Sequence, residues 1–240
     1  MDKVDNPVFD DLFDAGAPKV LDGSHSRDEP PVDRGRWPVS VVAFPPEAVR
    51  EQFGSWTQAT VERAGRGHFH TGGPDTAHLT VRALERYRET AAATDPVAAV
   101  WRTAMERAAA DTEPIRLLFT GLTLTRSGVL AQLEPVDHAA WELMARLRRE
   151  LGSEAWLEDG WMKRNIWYAS LLHFADRVAD PEGLVDWVRA NRRIEPVEFM
   201  ISSLSLVRFR HRQLDGEQAM VPETWCTASL QSPSTEEEIG

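Results

Sequence analysis

The chain contains a diverged copy of one of its own segments. Glu113-Pro114-Ile115 through Leu124-Thr125-Arg126 returns 82 residues later as Glu195-Pro196-Val197 through Leu206-Val207-Arg208. Glu, Pro, two Leu and Arg keep their places, and two Thr become Ser. A repeat of this kind is one supersecondary unit used twice. Each functional residue in one copy therefore has a counterpart position in the other.

The wider pattern repeats as well. Val39–Phe44 is a short apolar run that reads as a buried strand, and Pro45-Pro46 opens a helix from Glu47 to about Ala64. Gly65–Asp75 reads as a loop and Ala77–Ala83 as an alternating strand. Asp95-Pro96 opens a helix to about Ala110, and Ile115–Leu124 is a strand that turns into Val129–Leu133. The second pass runs from a helix at Asp137–Leu151 to a strand at Ile166–Leu172. Asp180-Pro181 then opens a helix to about Asn191, and one strand spans Val197–Arg210. Asp215-Gly216 is a hairpin turn into Gln218–Val221. Pro45 and Pro135 are 90 residues apart, and Asp95 and Asp180 are 85 apart, as short loop deletions would produce.

The expected fold class is α+β: two small antiparallel sheets facing a central cleft, with helices outside. The duplicated bilobal domain spans 37–222, with lobe repeats at about 39–126 and 129–210. Residues 1–36 read as a flexible acidic arm, within which Val8–Phe13 forms an amphipathic turn able to dock on the body or on a protein partner. Residues 223–240 read as a polar acidic tail.

Composition narrows the partners. The 240 residues carry a net charge of −11, which gives no basic field for long nucleic acid. A short nucleotide or an RNA end remains within reach of a local Arg cluster. No apolar run approaches a membrane span, and no signal peptide is evident. One cysteine, Cys226, excludes an intrachain disulfide and fits a reducing, cytoplasmic setting.

Chemistry concentrates on the strand at 77–83. Ala77, Leu79 and Val81 share one face, and His78, Thr80 and Arg82 share the other. An imidazole and a hydroxyl two residues apart suit phosphoryl transfer: one moves a proton near neutral pH, and the other holds a phosphate oxygen. Ninety residues on stand Tyr168 and Ser170, with Trp167, Ala169 and Leu171 as the apolar face.

At these residues the chain resembles the 2H phosphoesterases, the LigT-like or 2′-5′ RNA ligase-like proteins. The resemblance covers about residues 38–212. It implies two lobes that each give one His-x-Thr/Ser motif to a central cleft. It also implies cyclic or 2′,5′ phosphodiester chemistry without a metal or other cofactor, on a nucleotide or RNA-end substrate. His78 would be the general base, and Thr80 and Ser170 the phosphate clamp. The second motif departs from the family, because Tyr168-Ala169-Ser170 keeps the hydroxyl and lacks the imidazole. A phenol with a pKa of about 10 is a poor base at neutral pH but a competent hydrogen-bond donor or acid. A rival register uses His173-Phe174-Ala175, which restores a His and loses the hydroxyl. Strand alternation sets His173 opposite Tyr168 and Ser170 unless a bulge intervenes, so Tyr168 and Ser170 are preferred. The departure leaves open a non-catalytic binding or interaction module, or an enzyme of specialised metabolism on a small phosphorylated substrate.

Five further side chains are candidates for substrate binding. His68 and His70, in the loop before the motif, could swing over the cleft or join His78 around a metal. Arg82 could pair with phosphate, or with a helix carboxylate. Trp161, near Lys163 and Arg164, could stack a base. His173 is the fifth. The Arg208, Arg210, Arg212 row lines the cleft or forms an exposed face.

Overall fold

The computed structural model describes residues 6–161, 164–214 and 217–231. In chain order the elements are α1 (Pro7–Leu21), β1 (Val39–Ala43), α2 (Glu47–Ala64), β2 (Phe69–His70), β3 (Leu79–Glu85), α3 (Pro96–Ala110), β4 (Ile115–Thr125) and β5 (Gly128–Pro135). There follow α4 (Ala139–Leu151), a 3-10 turn (Gly152–Ala155) running into α5 (Trp156–Trp161), β6 (Trp167–His173), α6 (Pro181–Ala190), β7 (Val197–Ile201), β8 (Ser203–Leu214) and β9 (Glu217–Ser229). Prolines at the first helical position start α1, α3 and α6, where the missing N–H costs no hydrogen bond. Asp180 completes the cap of α6 by accepting from Gly183 N at 2.9 Å. No described helix is long and apolar enough to cross a membrane.

The expected pair of separate sheets is one sheet. Nine strands run in the order β3-β1-β8-β9-β2-β6-β5-β4-β7. The joint is β2, two residues inside the segment expected to be loop. Phe69 and His70 pair parallel with Gln218 and Ala219 of β9 and antiparallel with His173 and Leu172 of β6. On either side of β2 lies a four-stranded half.

The halves do not coincide with the expected lobes. β4, which closes the first repeat, pairs with β5, and β8, which closes the second, pairs with β1. The strand expected over Val197–Arg210 is two strands broken at Ser202. β7 pairs with β4 in one half, and β8 crosses to β1 in the other. The 82-residue offset recurs in the pairing. Thr123 lies opposite Leu130, which lies opposite Ser170, and Ser205 lies opposite Val42, which lies opposite Thr80.

Both terminal expectations need correction. Residues 7–21, read as flexible arm, form α1 on the chain's own sheet. Asn6 caps it, and Phe9, Phe13, Ala17 and Val20 are buried. Thr123 Oγ1 donates to Phe9 O at 2.7 Å, Asp10 pairs with Arg192 and Arg193, and the Arg192 guanidinium lies 4.5 Å from the Phe13 ring centre. The apolar spacing of the helix outweighed the polar composition around it. Residues 223–229, read as tail, continue β9 along the whole length of β8, from Leu214↔Glu217 to Ser203↔Ser229. Their backbone groups are paired, so polar side chains there mark an exposed strand face. Asp215-Gly216 lies outside the described residues, between the strands it was expected to join.

Gly16 marks the closest approach of α1 to the sheet. A Cβ there would stand 2.7 Å from the Thr125 carbonyl carbon and 2.8 Å from Leu124 O. Backbone cannot yield as a side-chain tip can. Gly16→Ala is expected to destabilise the fold by about 1–3 kcal/mol, read in urea as a lower midpoint at unchanged slope.

Candidate active site

Two extra residues aim the site. In β3, Thr80 pairs with Val42 and Arg82 with Val41, so Val81 is unpaired. In β6, Ser170 pairs with Leu130 and Leu172 with Val129, so Leu171 is unpaired. Each is a β-bulge, and each reverses the alternation beyond it. Past the first bulge, Ala83 replaces Arg82 on the inner face. Past the second, His173 replaces Leu172. A cavity of about 470 Å³ is lined by His78, Thr80 and Ala83 from one strand and by Tyr168, Ser170 and His173 from the other. The structure therefore brings together all four residues of the two motifs, and it adds the His173 of the rival register.

His78 is held by one hydrogen bond. Its Nδ1 lies 2.7 Å from Thr76 O, and a carbonyl can only accept. The proton is on Nδ1 and the lone pair on Nε2. The ring leans on Phe209, with centres 4.8 Å apart. Burial is the main force pushing the His78 pKa down, to about 4; the Thr76 bond opposes it, and His173 and Arg164 add to it. The imidazole is neutral at neutral pH.

Arg164, from the segment before β6, lines the cavity and lies 5.8 Å from the Tyr168 ring centre. Its Nη2 donates to Glu158 Oε1 at 2.9 Å. The same oxygen accepts from Ala83 N at 2.9 Å, so one buried carboxylate ties α5 to both walls of the cleft. Arg82 is spent on structure. It donates to Ala155 O at 2.7 Å and to Asp159 Oδ1 at 2.5 Å, and it does not line the cavity. The Val81 bulge is the reason.

His173 meets a segment expected to be flexible. Its Nδ1 lies 3.2 Å from Asp28 Oδ2 and 3.2 Å from Arg36 Nη2. Arg36 Nη1 donates to Asp28 Oδ1 at 2.6 Å. Burial alone would raise the Asp28 carboxyl, but His173 and Arg36 outweigh it and hold its pKa below the usual range. Burial also lowers the His173 pKa, against the pull of Asp28. Trp37 packs edge-on against His173 at 5.0 Å and lines the cavity with Gly35 and Arg36. Arg34 and Trp37 hold positive φ of 65° and 73°, which bends this strap back over the cleft.

The other expected contacts are elsewhere. His68 is fully buried outside the cavity: Nε2 lies 3.1 Å from Ala64 O, and Nδ1 accepts from Ala175 N at 3.1 Å. His70 sits on β2 with Nε2 3.7 Å from Glu217 Oε2, also outside the cavity. Neither can swing over the cleft, because β2 is paired on both edges. Among the described residues no three His, Cys, Asp or Glu gather as metal ligands. The Trp161 side chain and Lys163 lie outside the described residues. Arg208 is buried against Ala91 O, and Arg210 pairs with Glu223 at 2.8 Å, so the cleft receives Phe209 between them. Asp28, Arg36 and Trp37 were hidden in a Pro- and Asp-rich stretch. Arg164 stood in the sequence beside Tyr168 with nothing to show that it turned inward.

A two-half sheet with a His-x-Thr strand facing a Tyr-x-Ser strand has the fold of the LigT-like 2H phosphoesterases. The chain is similar to TT0787 of Thermus thermophilus, with a TM-score of 0.54 and 22% identity over 81% of this chain and 98% of that one. It is similar to E. coli LigT complexed with 3′-AMP, with a TM-score of 0.53 and 12% identity over 82% and 99%. A third solved structure, described as a phosphoesterase, gives 0.51 and 16% over 82% and 100%. No protein-family model matches the sequence, and no curated protein matches it.

The His78 environment has a measurable consequence. Its folded pKa of about 4 lies below the ordinary 6.5, so the unfolded chain binds more protons between those values. This contribution to stability is complete above about pH 6.5 and declines as pH falls toward 4. His78→Gln is expected to flatten that part of the stability curve, measured by urea unfolding across the window.

Proposed function

We propose that the protein is a metal-independent phosphodiesterase acting on a 2′,3′-cyclic phosphate, a 2′,5′-linked nucleotide or an RNA terminus. The observation that carries this reading is the cleft itself. A neutral imidazole with its Nε2 lone pair unused lines one cavity with two hydroxyls from opposite strands and a buried guanidinium. His78 Nε2 takes the proton of the attacking oxygen. Thr80 and Ser170 donate to the phosphoryl oxygens, and Arg164 opposes the charge that develops there. Tyr168 donates a hydrogen bond to the leaving oxygen. Trp37, Leu157 and Phe209 supply an apolar wall for a base or sugar.

Size and charge agree with a small substrate. About 470 Å³ suits a ligand of nucleotide size. The net charge of −11 disfavours a long polyanion. E. coli LigT, of the same fold, has been solved with 3′-AMP, which supports a nucleotide in this cleft.

One observation favours a second reading, binding without turnover: Tyr168 stands where the resembling family has its second His. The two readings separate in one assay. With EDTA present, the protein is expected to open 2′,3′-cyclic nucleotides, and His78→Gln to lose about 10²–10⁴-fold in kcat. Thr80→Val is expected chiefly to weaken phosphate binding and raise KM. Binding of 3′-AMP in a calorimeter with no turnover of any cyclic or 2′,5′-linked nucleotide would decide for the second reading.

A further inference from the structure

The second imidazole missing from the motif is present in the cleft by another route. Position 168 is the counterpart of His78, and position 173 is the counterpart of Ala83, 90 residues on in each case. Without the Leu171 bulge, residue 173 would point away from residues 168 and 170. With it, His173 lines the same cavity as His78. The strap then supplies what this imidazole needs. Of the two groups beside Nδ1, Arg36 can only donate, so only Asp28 can receive the Nδ1 proton. Asp28 Oδ2 is buried and has no other polar partner among the described residues. Arg36 holds the opposite carboxylate oxygen. A carboxylate on Nδ1 favours the imidazolium and leaves Nε2 with an exchangeable proton.

We propose that His173, placed by the Leu171 bulge and held by Asp28, is the general acid of this site. Asp28 is a positioning residue contributed by the N-terminal strap. The assignment rests on the phosphodiesterase reading. The bond from phosphorus to the attacking oxygen forms as the bond to the leaving oxygen breaks. The attacker's proton goes to His78 Nε2, and the Nε2 proton of His173 goes to the leaving oxygen. The step ends with His78 protonated and His173 neutral, and exchange with water after product release restores both. Tyr168 keeps its hydrogen bond to the leaving oxygen without giving up its proton. The two rings also divide the roles by their anchors: a neutral carbonyl on His78 suits a base, and an ionised carboxylate on His173 suits an acid.

The test compares two leaving groups. A 2′,3′-cyclic nucleotide releases an alkoxide that needs a proton, and a p-nitrophenyl nucleotide ester releases a phenolate that does not. His173→Asn is expected to lose about 10²–10⁴-fold on the first and less than about tenfold on the second. Asp28→Asn leaves the imidazole in place. It is expected to move the alkaline limb of the kcat–pH profile to lower pH, because the acid then loses its proton sooner. The charged or titratable groups facing His173 are Asp28 and Arg36 from the strap and His78 at the start of β3, so only the Asp28 change alters the carboxylate. Equal losses on both esters in His173→Asn would overturn the acid role while the phosphodiesterase reading stands. So would a leaving-group-dependent loss in Tyr168→Phe with none in His173→Asn. An unshifted pH profile in Asp28→Asn would overturn the role of the strap. Wild-type protein that turns over neither ester would overturn the phosphodiesterase reading, and the acid role with it.

Discussion

Backbone hydrogen bonds between β4 and β5, and between β8 and β1, hold everything else in register. Neither half of the sequence owns a complete half-sheet. Each lends its last strand to the other, and the break at Ser202 lets one extended segment serve both halves. The two residues of β2 then close the remaining gap. Motif strands β3 and β6 face each other because this exchange puts β1 and β5 beside them. Such pairing joins residues far apart in sequence, so loop closure must precede most of the stabilising contacts. Cleft and core therefore form together.

Buried carboxylates organise the cleft more than its cations do. Glu158 receives a backbone N–H from one wall and the Arg164 guanidinium from the other. Asp28 does the same work at the far end, between Arg36 and His173. Each charge is paired, which is the condition for burying it without a large desolvation penalty. The acidic composition is thus partly internal.

Much of the fold is legible in residues with local meaning. Proline after Asp95 and Asp180 marks the first helical positions of α3 and α6, and alternation marks β3 and β6. The 82-residue offset predicts which positions correspond, and Thr123 and Ser205 sit at matching places in the two halves. What alternation misses is a single unpaired residue. Val81 and Leu171 look like ordinary strand residues, yet each turns its neighbours over, sending Arg82 out of the cleft and His173 in. Composition misleads at the ends for a different reason. Asp, Pro and Gly dominate the first 36 residues, but Phe9, Phe13 and Val20 recur at helical spacing and find a surface to cover. Nothing local shows that Asp28 will meet a residue 145 positions away.

The strap that carries Asp28, Arg36 and Trp37 is bent by two left-handed residues that are not glycine. Such backbone holds conformational strain on the order of 1–3 kcal/mol per residue, retained only while the surroundings enforce it. The strap is joined to the body by a few side chains, whereas the sheet beneath it is hydrogen-bonded throughout. Its release is a local opening with its own, smaller free energy. Warming should therefore unlatch one wall of the cleft while the sheet is still intact. The working temperature range of the protein is then set by a short peripheral segment, well below the melting point of the core.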